Sequence, residues 1–128
     1  PPLVDAASAA QELKSLLESD PPYNAKVSFK PDQGSATGWN APVSATWLRT
    51  AMGAASQHYY GAPCGYIGQG GTIPLMGLLQ KGFPKSQFMV CGVLGPQSNA
   101  HGPNEFLHVP FAKKLTASVA HTIAALPA

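Results

Sequence analysis

Charge is what this chain has least of. Its 128 residues carry eight Lys and Arg and six Asp and Glu, so 11% of the sequence is charged, against about 25% in an ordinary soluble domain. A small self-contained domain has much surface for its volume and normally solvates that surface with charge. The deficit predicts that part of the surface is covered by further protein. The few positive charges are also dispersed. Lys81, Lys85, Lys113 and Lys114 build no dense basic face and no basic-aromatic pattern, which argues against a nucleic-acid partner.

Cysteine is scarce as well. Two residues, Cys64 and Cys91, do not make a disulfide framework. Cys91 sits inside the apolar run Phe88-Met89-Val90-Cys91-Gly92-Val93-Leu94 and reads as a buried free thiol; a single Cys64–Cys91 bridge stays open. No apolar run approaches the ~20 residues of a membrane span, and the first residues lack the basic stretch of a signal peptide. The expectation is a cytoplasmic protein with no membrane partner.

Acids are the third shortage, and the one that bears on chemistry. The six are Asp5, Glu12, Glu18, Asp20, Asp32 and Glu105, of which Glu105 alone lies near a candidate site loop. A catalytic zinc takes about three protein ligands and an open position. His101 with Glu105 or His108 supplies two, and no Ser-His-Asp or Cys-His arrangement is evident. No catalytic residue is therefore assigned within the chain.

The apolar residues are well organised. Asp5 to Glu18 reads as an amphipathic helix with Ala6, Ala9, Leu13, Leu16 and Leu17 on one face, capped by Asp5 or Ser8 and stopped by Asp20-Pro21-Pro22. Lys26 to Lys30 alternates like a half-buried strand, and a long polar loop runs from Pro31 to Pro42. A second helix spans Val43 to Tyr60, turning Trp47, Leu48, Ala51, Ala55 and Tyr59 toward a core. Gly65-Tyr66-Ile67 is a short strand, and Thr72 with Pro74 opens a third helix. Gln87 to Leu94 is apolar on both faces, as in a central parallel strand. Pro110 opens a last helix through Phe111, Leu115, Val119, Ile123 and Leu126. Strand, helix, strand, helix from residue 65 onward predicts a βαβ arrangement. Ligands bind beyond the carboxyl ends of the strands in such sheets, where the loops 68–72 and 99–105 fall.

The first of these loops, Gly68-Gln69-Gly70-Gly71-Thr72, lacks the third glycine of a dinucleotide fingerprint, because position 73 is Ile, and has no Gly-Lys-Ser/Thr of a P-loop. Its backbone amides at a helix entrance favour an anion such as a carboxylate, unless the glycines serve only a tight turn. In the second loop, Ser98-Asn99-Ala100-His101-Gly102-Pro103-Asn104-Glu105, His101 joins a strand end, a Gly-Pro turn and a nearby acid, the setting of a ligand or a catalyst. His58 and His121 read as surface or packing residues within helices, and His108 as a helix cap or a residue that supports a ligand.

Tyr66-Ile67-Gly68-Gln69-Gly70-Gly71-Thr72-Ile73-Pro74, the strand end Gly92-Val93-Leu94-Gly95 and the His101 loop together resemble the C-terminal stretch of the carnosinase/aminoacylase-like dinuclear zinc peptidases. The resemblance spans residues 61 to 126, with a weaker match upstream around Gly38-Trp39-Asn40-Ala41-Pro42. It implies an α/β fold, the C-terminal βαβ part of a zinc-peptidase catalytic domain preceded by half of an α+β lid, or dimerisation, domain. Residues 1–60 would be the second half of the lid and 61–128 the end of the catalytic domain.

By the same resemblance His101 matches the last ligand of a two-zinc site, so that one metal ligand is retained here. Thr72 with the Gly70-Gly71 backbone matches the segment that holds a substrate carboxylate, Asn40 lies in a lid loop reaching toward substrate, and Glu105 supports the ligand. The family commonly has Glu where this chain has Gln69, an amide that cannot pair ionically with a substrate amino group. The remaining zinc ligands and the general base precede the lid in that family and do not occur in these residues. The implied function is part of a zinc-dependent metallopeptidase hydrolysing dipeptides or related small amides, inactive alone. The alternative is a non-enzymatic lid fragment that mediates association. The implied partners are the missing N-terminal half or a full-length protomer, a small peptide substrate and further copies in a homo-oligomer.

Overall fold

The structure, a computed structural model, describes residues 2–31, 36–69 and 73–127. Their regular elements are α1 (Ala6–Ser19), a 3-10 turn (Pro22–Asn24), α2 (Thr46–Tyr60), α3 (Pro74–Gly82) and α4 (Val109–Ala124). No strand occurs among the described residues. This overturns the expected α/β class, both the βαβ catalytic part and the α+β lid. Alternation and apolarity state which side chains favour burial, but a strand exists only with a ladder partner. Among the described residues, no backbone-to-backbone hydrogen bond involves positions 26–30, 65–67 or 89–94.

The helices arise from local signals. Asp5 caps α1, its Oδ1 accepting from the Ser8 N–H at 2.8 Å and the Ser8 hydroxyl at 2.9 Å. The Ser8 N–H, foremost, holds the Asp5 carboxyl below its ordinary range. α2 starts three residues later than expected and ends where Gly61 turns left-handed at φ 69°, its N–H reaching the Gln57 carbonyl at 3.1 Å. Pro74 opens α3 at a position where no amide is needed. The cap position there is Ile73, with no side-chain cap bond, while Thr72 lies outside the described residues. His108 caps α4, its Nδ1 accepting from the Phe111 N–H at 3.1 Å.

The chain divides into two units. The first, residues 1–41 and 68–86, holds α1 and α3, neither of which buries a residue. Its described ties are polar. Ala6 N–H donates to Thr37 Oγ1 at 3.2 Å, the Trp39 indole N–H donates to Gln80 Oε1, and Glu18 Oε1 accepts both Lys14 Nζ at 2.5 Å and the Phe29 N–H at 2.8 Å.

The second unit, residues 42–67 and 87–128, is built on the packing of α2 against α4. Its core is Leu48, Ala51, Met52 and Ala55 of α2 with Ser118 and Thr122 of α4. The two buried hydroxyls donate to carbonyls one turn back, Ser118 to Lys114 and Thr122 to Ser118, each at 2.9 Å. α4 therefore buries small polar residues without leaving them unpaired. The Tyr60 and Phe111 rings pack at 5.6 Å between centroids, tilted 59° to one another. Trp47 and Tyr59, expected in the core, are half-buried. Ile123 and Leu126, expected inward, are 67% and 64% exposed.

Both cysteines are free, and Cys91 is exposed rather than buried. Two separate compact units of half the mass each would together expose roughly 7,800 Å² on the area–mass scaling of folded monomers. This 13.3 kDa chain exposes 10018 Å². Large apolar side chains stand among the exposed residues, Leu3, Leu16, Val43, Ile67, Leu78 and Ile123 included.

Candidate functional site

The loop that carries His101 is closed and braced by its own hydrogen bonds. Two backbone bonds close it, Ser98 N–H to the Gly95 carbonyl at 3.3 Å and Phe106 N–H to the Ser98 carbonyl at 3.1 Å. Three more brace it from within. Gly102 N–H donates to the Asn99 carbonyl at 2.9 Å, Asn99 Nδ2 donates to the Pro103 carbonyl at 2.6 Å, and His101 N–H donates to Glu105 Oε2 at 2.6 Å. Gly95 is required by space, and Gly102 leaves room for the Asn99 amide. A Cβ at Gly95 would lie 2.5 Å from His108 Cβ, and one at Gly102 would lie 2.6 Å from Asn99 Nδ2.

The bracing matters because the backbone is unfavourable on its own. Gln97, Asn99, His101 and Asn104 have φ of 65°, 54°, 60° and 59°, a left-handed conformation costing about 1–2 kcal/mol for an ordinary residue and less for Asn. The bonds above offset that cost, and the result is a fixed main chain beneath an exposed His101 imidazole. Such a ring can donate, accept or ligate.

Of the predicted site residues, the structure joins His101 and Glu105, through the main chain of one and the carboxylate of the other. Gln69 and Asn40 are exposed residues of the first unit. Gly70, Gly71 and Thr72 lie outside the described residues. His108 is spoken for by its cap bond, and His58 and His121 each pack a ring against Tyr59. Among the described residues no group of three or more His, Cys, Asp or Glu is placed to hold a metal ion. The residues in hand thus do not match the donor set of a zinc site.

Two features escaped the sequence reading. The Asn99 side chain ties the loop together, and its signal is an Asn three residues ahead of Gly-Pro. Ser98 is 3% exposed and its hydroxyl has no partner among the described residues, and nothing local announces that. The buried Tyr60 hydroxyl likewise has none. Desolvation, with Cys91 nearby, pushes its pKa above the ordinary value, and Lys114 Nζ lies 5.5 Å from its ring centroid.

No helix among the described residues is long and apolar enough to cross a membrane. No protein-family profile matches the chain. It is similar to a cysteinylglycine-S-conjugate dipeptidase of Corynebacterium striatum, with 35% identity over 122 residues that cover 84% of this chain and 25% of that enzyme. The chain therefore spans about a quarter of the length of the curated relative it matches. At that distance the match carries a relation to a dipeptidase at the level of the family, and no domain boundary within it.

Proposed function

We propose that these residues are a non-catalytic, association-making portion of a dipeptidase-type hydrolase, whose chemistry is carried by polypeptide outside them. The observation that carries this reading is the unburied apolar surface: α1 and α3 bury no residue, and Leu3, Leu16, Val43, Ile67, Leu78 and Ile123 are all exposed. Exposed apolar area of that extent favours covering by further protein. Residues 1–60 would be the lid half that associates and 61–128 the part that meets the remaining catalytic portion, or a further copy of the chain.

Sedimentation velocity across a concentration series tests it. Self-association, with no dipeptide hydrolysis by the chain in the presence or absence of zinc, is the expected result. A monodisperse monomer at high concentration that binds no hydrophobic dye refutes it, as does zinc-dependent hydrolysis by this chain alone.

The braced loop favours a second reading, in which His101 is one ligand of a zinc site that other polypeptide completes. Gly70, Gly71 and Thr72 would then hold the carboxylate of a dipeptide or a similar small amide, Gln69 and Asn40 would approach the substrate, and the relative's cysteinylglycine conjugates are the first substrates to assay. The check is to mix this chain with the polypeptide equivalent to the rest of that relative, and with zinc. Hydrolysis that appears only in the mixture and vanishes with His101→Ala supports the reading. Hydrolysis undiminished by that substitution sinks it.

A further inference from the structure

We infer that Glu105 is the positioning residue of the His101 loop, setting where the imidazole stands by gripping the main chain beneath it and leaving the ring itself unengaged. The inference deepens the His101 reading above but is tested apart from it.

His101 occupies a left-handed conformation, φ 60°, that a histidine does not adopt cheaply. The bond that its own N–H makes is to Glu105 Oε2, at 2.6 Å. A carboxylate accepting from an amide is a charge-assisted bond, shorter and stronger than a neutral one. The other braces act elsewhere: Asn99 on Pro103, Gly102 on Asn99, Phe106 on Ser98. They shape the hairpin of the loop, while the Glu105 carboxylate holds the residue at its tip.

The sequence between them serves the same geometry. Gly102 admits the Asn99 side chain where a Cβ would collide, at 2.6 Å from Asn99 Nδ2. Pro103 fixes its own φ near −65°, and Asn104 turns left-handed at φ 59°. Glu105, four residues after His101, is thereby turned back toward it. A carboxylate near a ligating histidine commonly takes the ring N–H and so sets the tautomer. Here it takes the peptide N–H. Glu105 therefore directs the ring without fixing which nitrogen carries the proton.

The test is nuclear magnetic resonance on the uniformly labelled chain with Glu105→Ala and Glu105→Gln. In the parent, the His101 amide proton is shifted downfield and exchanges slowly. In Glu105→Ala it loses the shift, its exchange protection falls on the order of tenfold or more as expected for losing a bond to a charged group, and its N–H/Hα coupling moves away from the left-handed value. Glu105→Gln, which keeps an acceptor oxygen at nearly the same reach, restores most of the coupling and protection. The Phe106 and Gly102 amides keep their protection in both variants. An unchanged His101 amide in Glu105→Ala overturns the inference. So does parallel loss at Phe106 and Gly102, which would make Glu105 a general brace of the loop. Adding zinc to the chain mixed with the polypeptide equivalent to the rest of the relative, and following the His101 ring carbons, addresses the metal reading separately: unmoved ring signals in the mixture count against that reading and leave the role of Glu105 standing.

Discussion

Truncating Leu48 to Ala tests the account of the second unit most directly. Leu48 is 2% exposed and, with Ala51, Met52 and Ala55, makes up the buried apolar core of the described residues. It is the largest aliphatic side chain there, and its buried α4 counterparts, Ser118 and Thr122, are small and tied to their own helix. Little is available to move into the space a leucine leaves. Leu→Ala in a core costs about 2–5 kcal/mol, the lower end being transfer alone and the upper end transfer plus cavity. Poor scope for collapse points to the middle of that range. In a unit of this size about 1 kcal/mol is worth roughly 4–8 °C in melting temperature, so a mid-range loss of about 3.5 kcal/mol should lower the transition by roughly 15–30 °C. Urea and thermal denaturation followed by circular dichroism at the helical band measures it. Leu16→Ala is the control, because Leu16 on α1 is 74% exposed and surface changes stay within about 0.5 kcal/mol. Equal effects from the two substitutions would refute the claim that stability resides in the α2–α4 contact.

Gly95→Ala places a methyl 2.5 Å from His108 Cβ, and the expected result is loss of the Ser98 and Phe106 amide protection together with weaker capping of α4, read by hydrogen exchange. Tyr60→Phe removes a buried hydroxyl that has no partner among the described residues, so the unit should be no less stable and more stable by up to about 1–3 kcal/mol; a large destabilisation in the same melts would show that the hydroxyl is bonded. Glu18 is held below its ordinary pKa of 4.5, first by the Lys14 ammonium and then by the Phe29 N–H. A depressed carboxylate stabilises the fold above its unfolded value and loses that contribution as pH falls through the folded one. Helicity of the first unit should accordingly drop below pH 4.5, and Glu18→Gln should flatten that limb of the curve; an unaltered acid limb would show that Glu18 does not govern it.

The helices were legible because the forces that make them are local. Asp5 before an apolar-periodic run, Gly61 after one, Pro74 at an entrance and the 3.6-residue spacing of α2 and α4 each act within a turn or two, and the structure places helices at all four sites. The rigid setting of His101 was legible too, since Asn, Gly and Pro at those spacings constrain their own backbone. What local pattern leaves open is anything that needs a partner. The run 88–94 has the composition of a central strand, yet a strand requires neighbours that lie far away in sequence or in another polypeptide, and no strand forms among the described residues. For the same reason Cys91, apolar on both flanks, is exposed. The inward face of α4 also went against hydrophobicity: Ser118 and Thr122 are buried while Ile123 is exposed, which is tolerable because each hydroxyl is bonded to a carbonyl of its own helix. Backbone capping and turn chemistry are written within a few residues of each other; burial and sheet pairing are relations between distant segments, and tertiary structure decides them.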